Sequence, residues 1–253
     1  MSALFIERYI KEGKMETETL KNGTKVYVGY NSRFGYDALI LSNFAFKKHS
    51  ARILDLGTGC GIIPLAAADA GRTGECVGLD IDDVACAFAR RGAAEYMEQN
   101  KNGMKIEIVY DDLRNYSADK KFDVVVCNPP YFALGTGRVS AKVKVRAARH
   151  EMSCTIADIA AAAKRNLKQG GRFFISYRPN RLVDAISALR AERLEPKRLR
   201  FVRQTPQGEP WLVLVEARFD AGIGLEVAPD LVVEAAAGGY TEEMANIVAG
   251  TTL

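Results

Sequence analysis

The sequence predicts an α/β fold, a seven-stranded and mostly parallel sheet with an antiparallel last strand. Three observations carry this expectation. From Arg52 onward, short β-branched runs alternate with longer helical patterns, as βαβ units require. A glycine-rich segment, Gly57-Thr58-Gly59-Cys60-Gly61, lies between the first of those runs and the helical pattern that follows. The last two strand candidates are joined by a loop holding Pro206, Gly208 and Pro210, which leaves no room for a crossover helix.

In order along the chain, strands are expected at 52–55, 75–80, 105–110, 122–127, 172–177, 198–202 and 211–219. Helices are expected between them at 62–70, 83–98, 155–167 and 181–192, with Gly71, Gly103 and the Gly170-Gly171 pair marking ends or turns. An earlier helix is expected at 37–46 with Asp37 as its N-cap. The organisation that follows is an extension over 1–48, with strand, turn and helix, and a main domain over 49–253.

The 253 residues and an apolar share of 48% suit one packed core. No apolar run reaches the roughly 18 residues that cross a bilayer, and charged residues interrupt the N-terminal stretch, so a cytoplasmic location is expected. Five cysteines without a C-x-x-C pair argue against a disulfide framework or a zinc knuckle, and two histidines, His49 and His150, against a histidine metal site. The net charge is only +4, but the basic residues cluster. Arg138, Lys142, Lys144, Arg146 and Arg149 form one run with no acidic residue; Arg190, Arg193, Lys197, Arg198, Arg200 and Arg203 form another against Glu192 and Glu195. Such runs suit a polyanion or a solvated face.

Glycines at 57, 59 and 61 let the backbone turn sharply and approach a ligand. Asp80 ends the next strand, 19 residues after Gly61, where a carboxylate can accept from the two hydroxyls of a ribose. The spacing G-x-G-x-G, unlike the dinucleotide G-x-G-x-x-G, favours S-adenosylmethionine over a nicotinamide cofactor. Asp112, with Asp111 as its rival, follows the third strand at the level of a cofactor's adenine; a turn cap is the alternative reading. Asp55, Ile81 and Leu113, beside these positions, complete the expected cofactor-binding set with Asn128.

The fourth strand runs into Asn128-Pro129-Pro130-Tyr131. Two prolines fix carbonyls at the carboxyl end of a strand, where open α/β sheets bind ligands. An aromatic amino group is a poor nucleophile because its lone pair is delocalised. The Asn128 side-chain oxygen and the Pro129 carbonyl can hold both amino hydrogens and aim the lone pair at a methyl donor, while Tyr131 stacks on the base. The basic run that follows, over 133–149 and containing Gly135 and Gly137, is expected to form a mobile loop that contacts RNA phosphates.

With DLGTGCG, GLDID and NPPY in order, the chain resembles the class I, Rossmann-like amino-group methyltransferases. RFGYDALIL before the domain, ARHE after NPPY and GGYTEEM near the end resemble elements of the bacterial family that methylates adenine N6 at position 37 of a valine tRNA. The resemblance implies that Arg33 and Phe34 help cover the cofactor site, that Gly57, Gly59 and Gly61 border the methionine part of S-adenosyl-L-methionine, and that Asp80 holds its ribose and Asp112 its adenine. Asn128, Pro129, Pro130 and Tyr131 would hold the target base, and tRNA would be the partner. The NPPY motif is shared with methyltransferases of ribosomal RNA guanine N2 and of release-factor glutamine. About 50 residues before the first strand are few for the helical domain the latter carry. A non-catalytic RNA-binding protein would have no need of the glycines, Asp80 and Asn128. His150 and Glu151 receive no derived role.

Overall fold

The computed structural model describes residues 15–29, 33–46, 51–129 and 154–250. It opens with an antiparallel hairpin, β1 (Met15–Thr19) and β2 (Lys25–Gly29), turned at Gly23, whose φ of +96° favours glycine. Helix α1 (Tyr36–Ala45) follows. Then come β3 (Ala51–Leu56), α2 (Ile62–Asp69), β4 (Gly74–Asp80), α3 (Asp83–Gln99), β5 (Lys105–Tyr110), β6 (Phe122–Cys127), α4 (Ile156–Asn166) and β7 (Leu167–Tyr177). The chain continues with a 3-10 turn, α5 (Leu182–Ala191), β8 (Leu194–Arg203), β9 (Pro210–Phe219), the two-residue strands β10 (Glu226–Val227) and β11 (Leu231–Val232), and α6 (Glu242–Val248).

The main sheet runs β10-β8-β9-β7-β6-β3-β4-β5, with β11 also on β8. Strand β9 is antiparallel to both β7 and β8, and the other pairings in this sheet are parallel. All seven expected strands are present, and the reversed one is the last of them. Parallel strands bury both faces, which explains their near-continuous apolar runs. Ile53, Cys76, Val124 and Phe174 pack on one face with β2, α1, α2, α3 and α6; Leu54, Val77, Val125 and Phe173 pack on the other with α4 and α5.

Local chemistry sets the helix starts. Asp82 caps α3 by accepting from the amides of Val84 (3.0 Å) and Ala85 (3.3 Å). Thr155 and Asp158 form a reciprocal capping box at α4. Helix α1 corrects the sequence reading, since its N-cap is Gly35 and Asp37 lies in the first turn. The Asp37 carboxylate bonds to the end of β6 rather than capping its own helix.

Two strands begin several residues earlier than expected. β7 begins at Leu167, directly after α4, because Leu167 pairs with Phe122 before a register shift, and Gly170 (φ +73°) carries the chain on. β8 begins at Leu194 despite Pro196, whose missing N–H falls beside the irregularity between Pro196 and Arg198.

Candidate functional site

The chain leaves β3 toward β4 on one side, while β6 lies on the other, so the order of strands switches between β3 and β6. Leu56 pairs with Leu79 on one flank and Cys127 on the other, and Cys127 pairs with Ile175. This register brings the glycine turn, Asp80, Asn128 and Ser176 to one level at the carboxyl ends of the strands. Open α/β sheets bind ligands at that place.

Three glycines of the turn have left-handed backbone, with φ of +76° at Gly57, +55° at Gly59 and +81° at Gly61. They serve two purposes. A Cβ on Gly57 or Gly59 would meet nothing within 4 Å, so both border open space, whereas one on Gly61 would lie 3.0 Å from the Ala89 side chain of α3. Gly61 therefore allows helix packing. The amides of Gly57 (2.8 Å) and Thr58 (2.9 Å) both donate to the Leu79 carbonyl, which ties the turn to β4. The Asp80 carboxylate closes the other side by accepting from the Gly59 amide (2.7 Å) and the Asp82 amide (2.8 Å).

Beneath the turn, Asp55 is fully buried and neither of its oxygens has a hydrogen-bond partner. Burial pushes its carboxyl up to about 7; the adjacent Thr58 hydroxyl pulls it back and the negative charge of Asp80 adds to the rise. The Cys60 and Cys86 thiols are pushed up to about 12, and the Cys154 thiol to about 11, chiefly by burial, which leaves them poor nucleophiles.

At the end of β5, Asp111 accepts from the Asp112 amide (2.7 Å). Both oxygens of Asp112 face the Arg114 Nε, at 3.0 and 2.9 Å, and the Arg114 hydrogen bond holds its carboxyl below the usual range. Ile81 is 45% exposed at the end of β4, and Leu113 is half-buried against the second core. The Arg33 guanidinium grips Glu16 of β1, and Phe34 packs at the edge of the first core.

Asn128 is half-buried and held on both sides. Its Nδ2 donates to Asp37 Oδ2 at 3.0 Å, and its Oδ1 accepts from the hydroxyl of Ser176, which is wholly buried in β7. Sequence reasoning missed both partners. Asp37 stands 91 residues from Asn128, and the only signal was its place in RFGYDALIL; Ser176 gave no signal. Next to Asp37, the half-exposed ring of Tyr36 meets Tyr240 edge-on, 5.8 Å between centroids, and their hydroxyls hydrogen-bond.

Pro130, Tyr131 and the basic residues Arg138, Lys142, Lys144, Arg146 and Arg149 lie outside the described residues, as do His150 and Glu151. The second basic run is paired within the chain. Arg190 pairs with Glu195 (3.0 Å), Arg193 with Asp220 (2.8 Å), Arg198 with Glu216 (3.0 Å), Arg200 with Glu243 (2.6 Å) and Arg203 with Asp230, while Lys197 donates to the Gly222 carbonyl (3.1 Å). Arg198 also covers the Phe44 ring and donates to the Phe44 carbonyl. These cations connect strands and helices. Among the described residues, no helix is long and apolar enough to cross a membrane.

A profile of the methyltransferase small domain matches residues 20–192. The chain is 31% identical over 214 residues to a protein of Bacteroides thetaiotaomicron named tRNA1(Val) (adenine(37)-N6)-methyltransferase, spanning 83% of this chain and 86% of that protein. A protein of the same name from Porphyromonas gingivalis is 29% identical over 224 residues, spanning 85% and 86%. Among solved structures, a predicted O-methyltransferase of Agrobacterium tumefaciens superposes with a TM-score of 0.68 at 20% identity, covering 85% of this chain and 97% of that one. At that identity the likeness concerns the fold.

Proposed function

Since the chain belongs to the methyltransferase small domain family and is an S-adenosylmethionine-dependent methyltransferase, we propose that its acceptor is the exocyclic amino group of a nucleobase, adenine N6 at position 37 of a valine tRNA. The relatives from Bacteroides thetaiotaomicron and Porphyromonas gingivalis carry that activity in their names. The observation that carries the reading is Asn128, an amide held on both sides beside the glycine turn, at the switch point of the sheet.

The residues present fit the cofactor. Gly57 and Gly59 leave a cradle that any Cβ would narrow, and Asp55, when ionised, sets a negative field beneath it, suited to a cationic ligand. Asp80, at the end of β4, offers its carboxylate to the ribose hydroxyls. Ile81 and Leu113 supply apolar walls, and Asp112, shared with Arg114, meets the adenine amino group. Arg33 and Phe34 border the cleft from the N-terminal side.

S-adenosylmethionine supplies an electrophilic methyl group on a sulfonium. The chain must then orient a weak nucleophile. Asn128 Oδ1 and the Pro129 carbonyl accept the two amino hydrogens and turn the nitrogen lone pair toward the methyl. Positive charge would grow on the nitrogen as it is methylated, and Asn128 Oδ1 and the Pro129 carbonyl would bind it more strongly than they bound the neutral amine. The surplus proton leaves after transfer, so no base is needed beforehand. Tyr131 stacks on the base.

Nucleoside mass spectrometry of tRNA from a strain lacking the protein tests the substrate. Loss of N6-methyladenosine from valine tRNA alone is expected; an unchanged tRNA profile removes this acceptor. Because Arg198, Arg200 and Arg203 of the second basic run are held in partly buried pairs, RNA affinity is assigned to the first. Neutralising Lys142, Lys144 and Arg146 together should weaken tRNA binding and flatten its salt dependence by about two to three in slope, with S-adenosylhomocysteine binding unchanged. An unaltered slope would locate RNA contacts elsewhere. Neutralising Arg198 and Arg200 should instead lower the melting temperature.

A further inference from the structure

We propose that Asp37 is a positioning residue for methyl transfer, acting through Asn128 with Ser176 as its counterpart; this rests on the reading of Asn128 as the acceptor that holds the target amino group. A side-chain amide is nearly symmetric in shape but not in chemistry. Rotated by a half-turn, Asn128 would present N–H groups to an amino group that also carries N–H groups, and the two would repel. Something must set the polarity of the amide.

Asp37 and Ser176 do so from opposite sides. An ionised carboxylate can only accept, so the amide nitrogen must face Asp37, at the observed 3.0 Å. The buried Ser176 hydroxyl donates to Oδ1 on the other side. A carbonyl oxygen has two lone pairs, so receiving the serine hydroxyl is compatible with receiving an amino hydrogen. Asp37 does more than orient. Its negative charge polarises the amide toward a richer oxygen, and that oxygen faces the nitrogen on which positive charge develops. The aspartate is placed for this by the first turn of α1, outside the strands that carry the rest of the site.

Rates on total tRNA from a strain lacking the protein, measured by nucleoside mass spectrometry, test the proposal, with calorimetric affinity for S-adenosylhomocysteine reporting an intact fold. Asp37→Ala is expected to lower kcat about 10- to 100-fold, the range for partners that orient a functional group from behind, with KM for tRNA within a few-fold. Asp37→Asn should fall between Asp37→Ala and the parent, since its oxygen still accepts from Asn128 but the polarising charge is gone. Asn128→Asp sets two carboxylates about 3 Å apart; they share a proton at low pH and repel when both ionise, so its rate should fall as pH rises. The exchange Asp37→Asn with Asn128→Asp should restore much of the rate and remove that fall. Asp37→Ala at the parent's kcat, while Asn128→Ala is inactive, overturns the proposal and leaves the proposed function standing. Asn128→Ala at the parent's rate overturns both. Equal losses in Asp37→Ala and Asp37→Asn, with no recovery in the exchange, would make Asp37 a structural residue only.

Discussion

Asn128→Ala is expected to lower the rate of methyl transfer by about 10²–10³-fold, the usual cost of removing one positioned partner of a developing charge, while cofactor affinity changes by no more than a few-fold. The separation follows from the site. The proposed cofactor cradle comprises Gly57, Gly59 and Asp80, which are tied to one another and to β4 through backbone amides. Asn128 is tied to Asp37 and Ser176 instead. Removing its side chain leaves the cradle's bonds in place and takes away the acceptor that orients the amino group. The measurement is single-turnover methyl transfer with saturating cofactor, beside calorimetric titration of S-adenosylhomocysteine. A variant with near-parent turnover would contradict the assigned chemistry, and one that no longer binds S-adenosylhomocysteine would show that the two halves of the site are not separable.

Asp55→Asn is expected to stabilise the cofactor-free protein at pH 8 and to weaken cofactor binding there. In the folded chain the Asp55 carboxyl titrates at about 7, against an ordinary value of 3.8. Between those values the folded protein keeps a proton that the unfolded chain has lost. Stability from this group is therefore greatest at acidic pH, falls as pH rises from about 4 to about 7 and is level above. Asparagine, of the same shape and never ionised, removes that slope. The melting temperatures of variant and parent should coincide near pH 4 and diverge by pH 8, with the variant higher. Cofactor affinity should move the opposite way at pH 8, by about tenfold, the scale of one charge acting on another at some distance through protein. At pH 6, where the parent's Asp55 is mostly protonated, the gap should narrow. Equal affinities at both pH values would remove Asp55 from cofactor binding.

Much of this architecture was legible because the signals were local. The βαβ alternation and the turn residues are written within a few residues of the elements they start. β10 and β11 were not legible, since two residues show no period and their pairing depends on the edge that β8 happens to offer. Helix α6 could have been found: Thr241 accepts from the Met244 amide, an N-cap spacing visible in TEEM. Asp37 shows the opposite failure. A carboxylate at a helix start reads as a cap from sequence alone, and only the three-dimensional path of α1 past the end of β6 reveals its partner. The charge of the second basic run was legible, but not its neutralisation by Glu216, Asp220, Asp230 and Glu243, which come from later segments.

The contact between Tyr36 and Tyr240 spans 204 residues of chain. With it, Met244 and Ile247 of α6 enter the same core as Ile40 and Leu41 of α1, and the Arg200–Glu243 pair fastens α6 to β8. Helix α1 emerges early from the ribosome, yet its seat is finished only when α6 has been made. During synthesis Asp37 is made early, but Asn128 follows 91 residues later and Ser176 a further 48 after it, so the three can meet only after most of the chain has been made.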